Sequence, residues 1–161
     1  MRPAVPVATL AALLLFPTSA AAGWDESSTT WPMTDAIYDT CNHELVVVNG
    51  DWTQSERSRF DDGRVRIETE GRLRNGTGYA GSRLYAVQKT TSSKFEHRAD
   101  KGIQRTTDVV TIVLRPKDAR GSRETMRFRR SVDRTENVRT GESVGKPRDE
   151  TRVSCTRGDD D

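Results

Sequence analysis

From Arg64 to Arg74 the chain alternates without a break. Val65, Ile67, Thr69, Gly71 and Leu73 share one parity, and Arg64, Arg66, Glu68, Glu70, Arg72 and Arg74 occupy the other. Successive side chains of a strand point to opposite faces. The segment therefore reads as a half-buried antiparallel strand with one apolar and one fully charged face. Gly71, on the inward parity, predicts a bend or bulge of the kind that curls a sheet.

Strand signals recur along the rest of the chain. Leu45-Val46-Val47-Val48 is a β-branched run followed by Asn49-Gly50-Asp51, which reads as a hairpin turn. Trp52 to Phe60 alternates weakly and ends at a second turn, Asp61-Asp62-Gly63. Asn75-Gly76-Thr77-Gly78 predicts a third turn, and Asn75-Gly76-Thr77 also fits the glycosylation sequon. Leu84–Lys89 and Lys94–Arg98 are shorter strand candidates. Val109–Leu114 predicts a strand covered on both faces and stopped by Pro116. Met126, Phe128 and Val132 alternate with Arg127, Arg129 and Ser131 after a turn spanning Lys117 to Ser122. A last strand is expected around Thr151 to Cys155. No segment carries sustained apolar residues at helical spacing. Seven or eight short strands predict an all-β antiparallel meander, closed as a barrel or folded as a sandwich, with the barrel favoured.

The N-terminus adds a location. Met1-Arg2-Pro3 precedes an apolar run from Ala4 to Phe16, and Ala20, Ala21 and Ala22 follow. Charge, apolar core and small residues in that order predict a secretory signal peptide over 1–22. The run is too short for a membrane span, which needs roughly 20 residues. The last residues, Gly158-Asp159-Asp160-Asp161, are no hydrophobic anchor. The expected product is secreted and extracellular, without a transmembrane anchor. Residues 23–40 show no period and read as an extended leader. The β-domain is expected over 41–155 and an acidic disordered tail over 156–161. In an oxidising compartment the only two cysteines, Cys41 and Cys155, predict one disulfide between the first and last strands.

The formal net charge is +2, unevenly spread. Residues 23–62 hold nine acids against two bases, whereas residues 63–158 hold twenty-three bases, mostly arginine, against twelve acids. The row Arg64, Arg66, Arg72 and Arg74, with Arg127, Arg129 and Arg130, would form one basic face if the two strands were neighbours. Such a face suits an anionic surface polymer or an acidic protein partner. The chemistry-bearing residues are sparse. His43 and His97 are the only histidines, and His43 and Glu44 would point to opposite faces. Glu68 and Glu70 fall among arginines on the charged face. No nucleophile elbow, phosphate-cradling loop or clustered metal spacing is present. No catalytic residue, metal or cofactor is assigned on these grounds. A second reading places an apolar ligand in a barrel interior lined by Val65, Ile67, Tyr85, Val109, Val113 and Phe128, as a carrier or a barrel enzyme.

Cys41 near the first strand, the Phe60-Asp61-Asp62-Gly63-Arg64-Val65 turn, the Gly76-Thr77-Gly78 turn and the closing Cys155 resemble a group of uncharacterised small secreted β-proteins common in actinobacteria. The resemblance covers about residues 41–155. It implies a β-fold and export, and no activity.

Overall fold

The computed structural model describes residues 23–117 and 124–157. The expected signal peptide, most of the Lys117–Ser122 turn and residues 158–161 lie outside them. The described chain is seven strands and no helix: β1 Asp25–Asp39, β2 Glu44–Asp61, β3 Arg64–Ala80, β4 Arg83–Arg98, β5 Ile103–Pro116, β6 Glu124–Asn137 and β7 Arg148–Arg157. They form one antiparallel sheet in chain order, with no pairing of β1 to β7 among the described residues. The all-β meander with one disulfide is therefore present, as a sheet whose first and last strands are not hydrogen-bonded together.

A lone sheet has no second layer to cover its apolar face, so it must cover that face with itself. Val46, Val48, Tyr85 and Leu114 are fully buried, and Met126, Val87, Leu73, Trp52 and Ile37 nearly so. These residues come from β1 to β6 and make a single cluster, which a flat sheet could not assemble. Asp35 on β1 and Lys89 on β4 are separated by two whole strands in the ladder. Their side chains nevertheless meet at 2.6 Å. The sheet is rolled at this end. The strands run 10 to 18 residues, so their other ends extend beyond the core.

The roll is fastened at one corner. Cys41, in the β1–β2 turn, is disulfide-bonded to Cys155 on β7, with a Cα separation of 5.6 Å. The bridge ties the first hairpin's turn, rather than a strand, to the last strand. Asn42 beside it behaves like a strand backbone. Its Nδ2 donates to the Glu124 carbonyl at 2.9 Å, and its Oδ1 accepts from the Glu124 N–H at 3.3 Å. Asp39, fully buried, accepts from the Cys41 and Asn42 N–H groups and from Asn42 Nδ2. Three donors satisfy a carboxylate that would otherwise be costly to bury.

Several expected turns prove to lie inside strands. Asn49-Gly50-Asp51 does not reverse the chain, because β2 runs straight through it. Asn75-Gly76-Thr77-Gly78 is also no hairpin. There β3 carries one extra residue against both neighbours, a bulge between Arg72 and Thr77. Asn75 takes the left-handed conformation, φ 53°. Gly50 and Gly76 permit the close approach that follows. A Cβ on Gly76 would lie 2.4 Å from the Val87 carbonyl oxygen, and one on Gly50 2.8 Å from that of Arg74. The curl expected at Gly71 is centred on this bulge instead. Gly71 itself makes room for the Trp52 ring, since a Cβ there would stand 2.1 Å from a ring carbon. The Asp61-Asp62-Gly63 turn is present, with Asp62 and Gly63 both at positive φ as a tight hairpin requires. Leu84–Lys89 and Lys94–Arg98 are two parts of the single strand β4. The stretch read as a leader is largely β1, paired along its length with β2.

Removing the bridge with Cys41→Ser and Cys155→Ser together is expected to cost about 4–5 kcal/mol for a closed loop of this length, measured by urea unfolding of the oxidised parent and the variant. Gly71→Ala should destabilise by about 1–3 kcal/mol through overpacking against Trp52. Its urea midpoint should fall with little change in slope.

Candidate polyanion-binding trough

The rolled sheet has a core face and a second face, and register assigns each side chain to one of them. Arg64, Arg66, Arg72 and Arg74 lie on the second face of β3, and Arg127 and Arg129 on the second face of β6. β4 and β5 separate the two strands, so the expected direct merging of the arginine rows does not occur. Arg130 has the opposite parity and lies on the core-face side, in an ion pair with Asp149 at 2.6 Å.

A different arrangement emerges from the ladder. Pairings run Thr30–Thr53–Arg72–Thr90–Thr111–Arg129–Arg152 across all seven strands. No acid occurs in this row. The next row runs Ser28–Ser55–Glu70–Ser92–Val109–Ser131–Glu150. On the other side, Arg74 follows Arg72 along β3, and Val113 lies between Gln88 and Arg127. Two arginine walls thus flank a floor of hydroxyls. Three inter-strand steps separate Arg72 from Arg129, about 14 Å at ~4.8 Å per strand. A groove of about 1050 Å³ lies over the β3–β5 part of this floor, lined by Arg72, Arg74, Thr90, Ser92 and Thr111 and also by the carboxylate of Glu70. Arg129 and Arg152 line a smaller one, together with Ser131 and with Glu150, which pairs with Arg152 at 3.6 Å.

Arg72, Arg74, Arg127 and Arg129 are exposed and make no ion pair among the described residues. The rest of the second face is different. Glu68 is held between Arg57 and Lys94, and the hydrogen bond from Arg57 is the main cause of its lowered carboxyl pKa. Arg57 also lies 5.0 Å from the Trp24 ring centre. Asp133 is hydrogen-bonded by Arg105 at 3.0 and 2.5 Å, and that contact lowers its pKa. Arg98 pairs with Glu96 at 3.0 Å, and Arg64 and Arg66 lie in this part of the face. Beyond the trough the charges are interleaved, with Glu68, Glu96 and Asp133 each held by a cation; within it Arg152 pairs with Glu150 at 3.6 Å, and Arg72, Arg74, Arg127 and Arg129 are left available to an external anion.

Other candidate positions separate. Val109 and Val113 lie on the second face, while Tyr85 and Phe128 lie on the core face. The six residues expected to form one apolar cup therefore do not share an interior. The rolled end is filled by Tyr85, Leu114 and Met126. His43 is exposed in the β1–β2 turn and His97 lies near the far end of β4, so no histidine pair forms. Cys41, Cys155 and Glu124 lie close together, but both sulfurs are in the disulfide. Arg152 and the threonine floor were not singled out from sequence. Their signal was available as the same-parity run Gln88, Thr90 and Ser92, hidden because β4 reads as two pieces. No protein-family model, curated protein or solved structure matches the chain.

The lowered carboxyl values set a pH dependence. A carboxyl whose folded pKa is depressed stabilises the fold above its unfolded value and loses that contribution as pH falls through the folded value. With ordinary values of 4.5 for Glu68 and 3.8 for Asp133, stability should be level above this range and decline below pH 4.5. Glu68→Gln should remove part of the decline, read from urea midpoints across an acid pH series.

Proposed function

We propose that this domain is a non-catalytic, secreted anion-binding module that holds an acidic polymer or an acidic protein segment in the trough between Arg72/Arg74 and Arg127/Arg129. The observation that carries the reading is the acid-free row Arg72–Thr90–Thr111–Arg129–Arg152 on one face. Arginine forks grip carboxylate, sulfate or phosphate with two parallel hydrogen bonds. Threonine and serine hydroxyls between them supply donors and acceptors to the polar backbone of such a ligand. The trough presents no aromatic ring for a base to stack upon, which favours an anionic polysaccharide or polyol phosphate over single-stranded nucleic acid.

The disulfide is compatible with an oxidising compartment, and among the described residues no helix is long and apolar enough to cross a membrane. Both agree with export directed by residues 1–22. The resemblance to exported actinobacterial β-proteins belongs to the same proposal. A closed barrel, with β1 and β7 drawn together by the fastened corner, would leave this face on the outside.

The test is retention on a heparin column. Arg72→Ala with Arg129→Ala should elute at clearly lower salt, and the slope of log affinity against log salt should fall by about one for each arginine removed. Arg64→Ala and Arg130→Ala should change little. Elution of the double variant at the parental salt concentration would refute the assignment.

A further inference from the structure

Past the bulge, the second face changes character. Tyr38 pairs with Leu45 across β1 and β2, Val47 with Tyr79 across β2 and β3, and Tyr79 with Leu84 across β3 and β4. Their shared parity puts them on the outside of the rolled end, away from the core. Tyr38 is 54% exposed, Leu45 58%, Val47 42% and Tyr79 46%. Four large apolar side chains in adjoining ladder positions make a contiguous patch, unlike single exposed residues. The rim is cationic. Arg115 pairs with Ala86 on the same face, and Lys117 lies beside Leu84, donating its backbone N–H to the Leu84 carbonyl at 2.8 Å. Both are exposed and neither has an ion pair among the described residues. Around the patch the second-face positions are Thr34, Ala36, Asn49, Thr77 and Ala86, and none is acidic.

We infer that this patch docks on an anionic lipid surface, with Leu45 and Val47 entering the acyl boundary and the two tyrosines at headgroup level. Tyrosine suits that position because it joins an apolar ring to a polar tip. Arg115 and Lys117 would meet the anionic headgroups, each worth about 1 kcal/mol near such a surface. A second copy of this chain fits the patch less well. Four half-exposed side chains offer on the order of 300–400 Å², against the ~800 Å² per partner of a stable interface. A two-fold pairing of this face would also bring its cationic rims together. The inference is independent of the trough and needs no polymer bound there.

The full chain lacking residues 1–22 is sedimented with vesicles of phosphatidylcholine alone or mixed equally with phosphatidylglycerol. Binding to the mixed vesicles and not to the neutral ones is expected. Leu45→Ser with Tyr79→Ser should lower the partition coefficient about tenfold or more. Arg115→Ala with Lys117→Ala should lower it more than tenfold, from about fivefold per cation, and also serves if the first variant fails to fold. Heparin retention of the Leu45/Tyr79 variant should match the parent, which separates this surface from the trough. Equal binding by parent and both variants would overturn the inference. So would parental binding to neutral vesicles, or a concentration-dependent dimer abolished by Leu45→Ser without any vesicle binding.

Discussion

The curl of one sheet onto itself is the constraint from which the remaining structure follows. Without a second layer, each buried residue must find its partner on another part of the same ladder. The corner formed by Cys41, Asn42, Cys155 and Glu124 makes this possible. The disulfide limits how far the chain can open, and Asn42 joins the first turn to the start of β6 through two hydrogen bonds with Glu124. Asp39 holds the turn that presents both groups. A loosened corner would expose Met126 and Leu114 before it affected the far ends of β3 and β4.

Close approach has to be permitted as well as fastened. The extra residue in β3 sharpens the local twist, as bulges do, and the small residues Gly50 and Gly76 let neighbouring backbones come within contact there. Trp52 then packs onto Gly71, and Lys89 reaches over the indole at 5.7 Å to pair with Asp35. Asp35's pKa is lowered mainly by that hydrogen bond, so the charge pair that spans the roll favours the ionised carboxylate. The same bulge divides the second face, with the arginine trough on one side and the apolar patch on the other.

Much of this was legible in the sequence wherever burial differed between the two faces. Val65 to Leu73 alternates because one face is covered, and β3 was plain for that reason. β1 carried no such contrast. Its first eight residues are exposed on both parities, so nothing in their hydropathy reports a strand. Pro32 removes a backbone donor, and the Ala36 N–H is taken by its neighbour Asp35, as suits a protected edge. The turn signals failed for a related reason. Asn-Gly is favoured at positive φ in hairpins, but a bulge requires the same conformation at Asn75 without reversing the chain. Local residue preference specifies the dihedral angles and leaves the pairing of distant strands to decide between a turn and a bulge.

The trough shows the same division between local and long-range information. Alternation alone places Arg72 and Arg129 on the outward faces of half-buried strands. Which other residues shared their row depended on a register spanning four strands, and a slip of one residue would move a side chain to the opposite face. Arg130 illustrates the consequence, since it adjoins Arg129 in sequence yet faces the other way and is neutralised by Asp149. The functional content of an arginine-rich chain of this kind lies less in the number of its cations than in which of them the ladder leaves without an acid. Here Arg72, Arg127 and Arg129 stand in the rows that cross Thr90, Thr111 and Val113, which offer hydroxyls and one buried valine, whereas Arg74 has Asp51 opposite it on β2 and Glu70 lines the same groove.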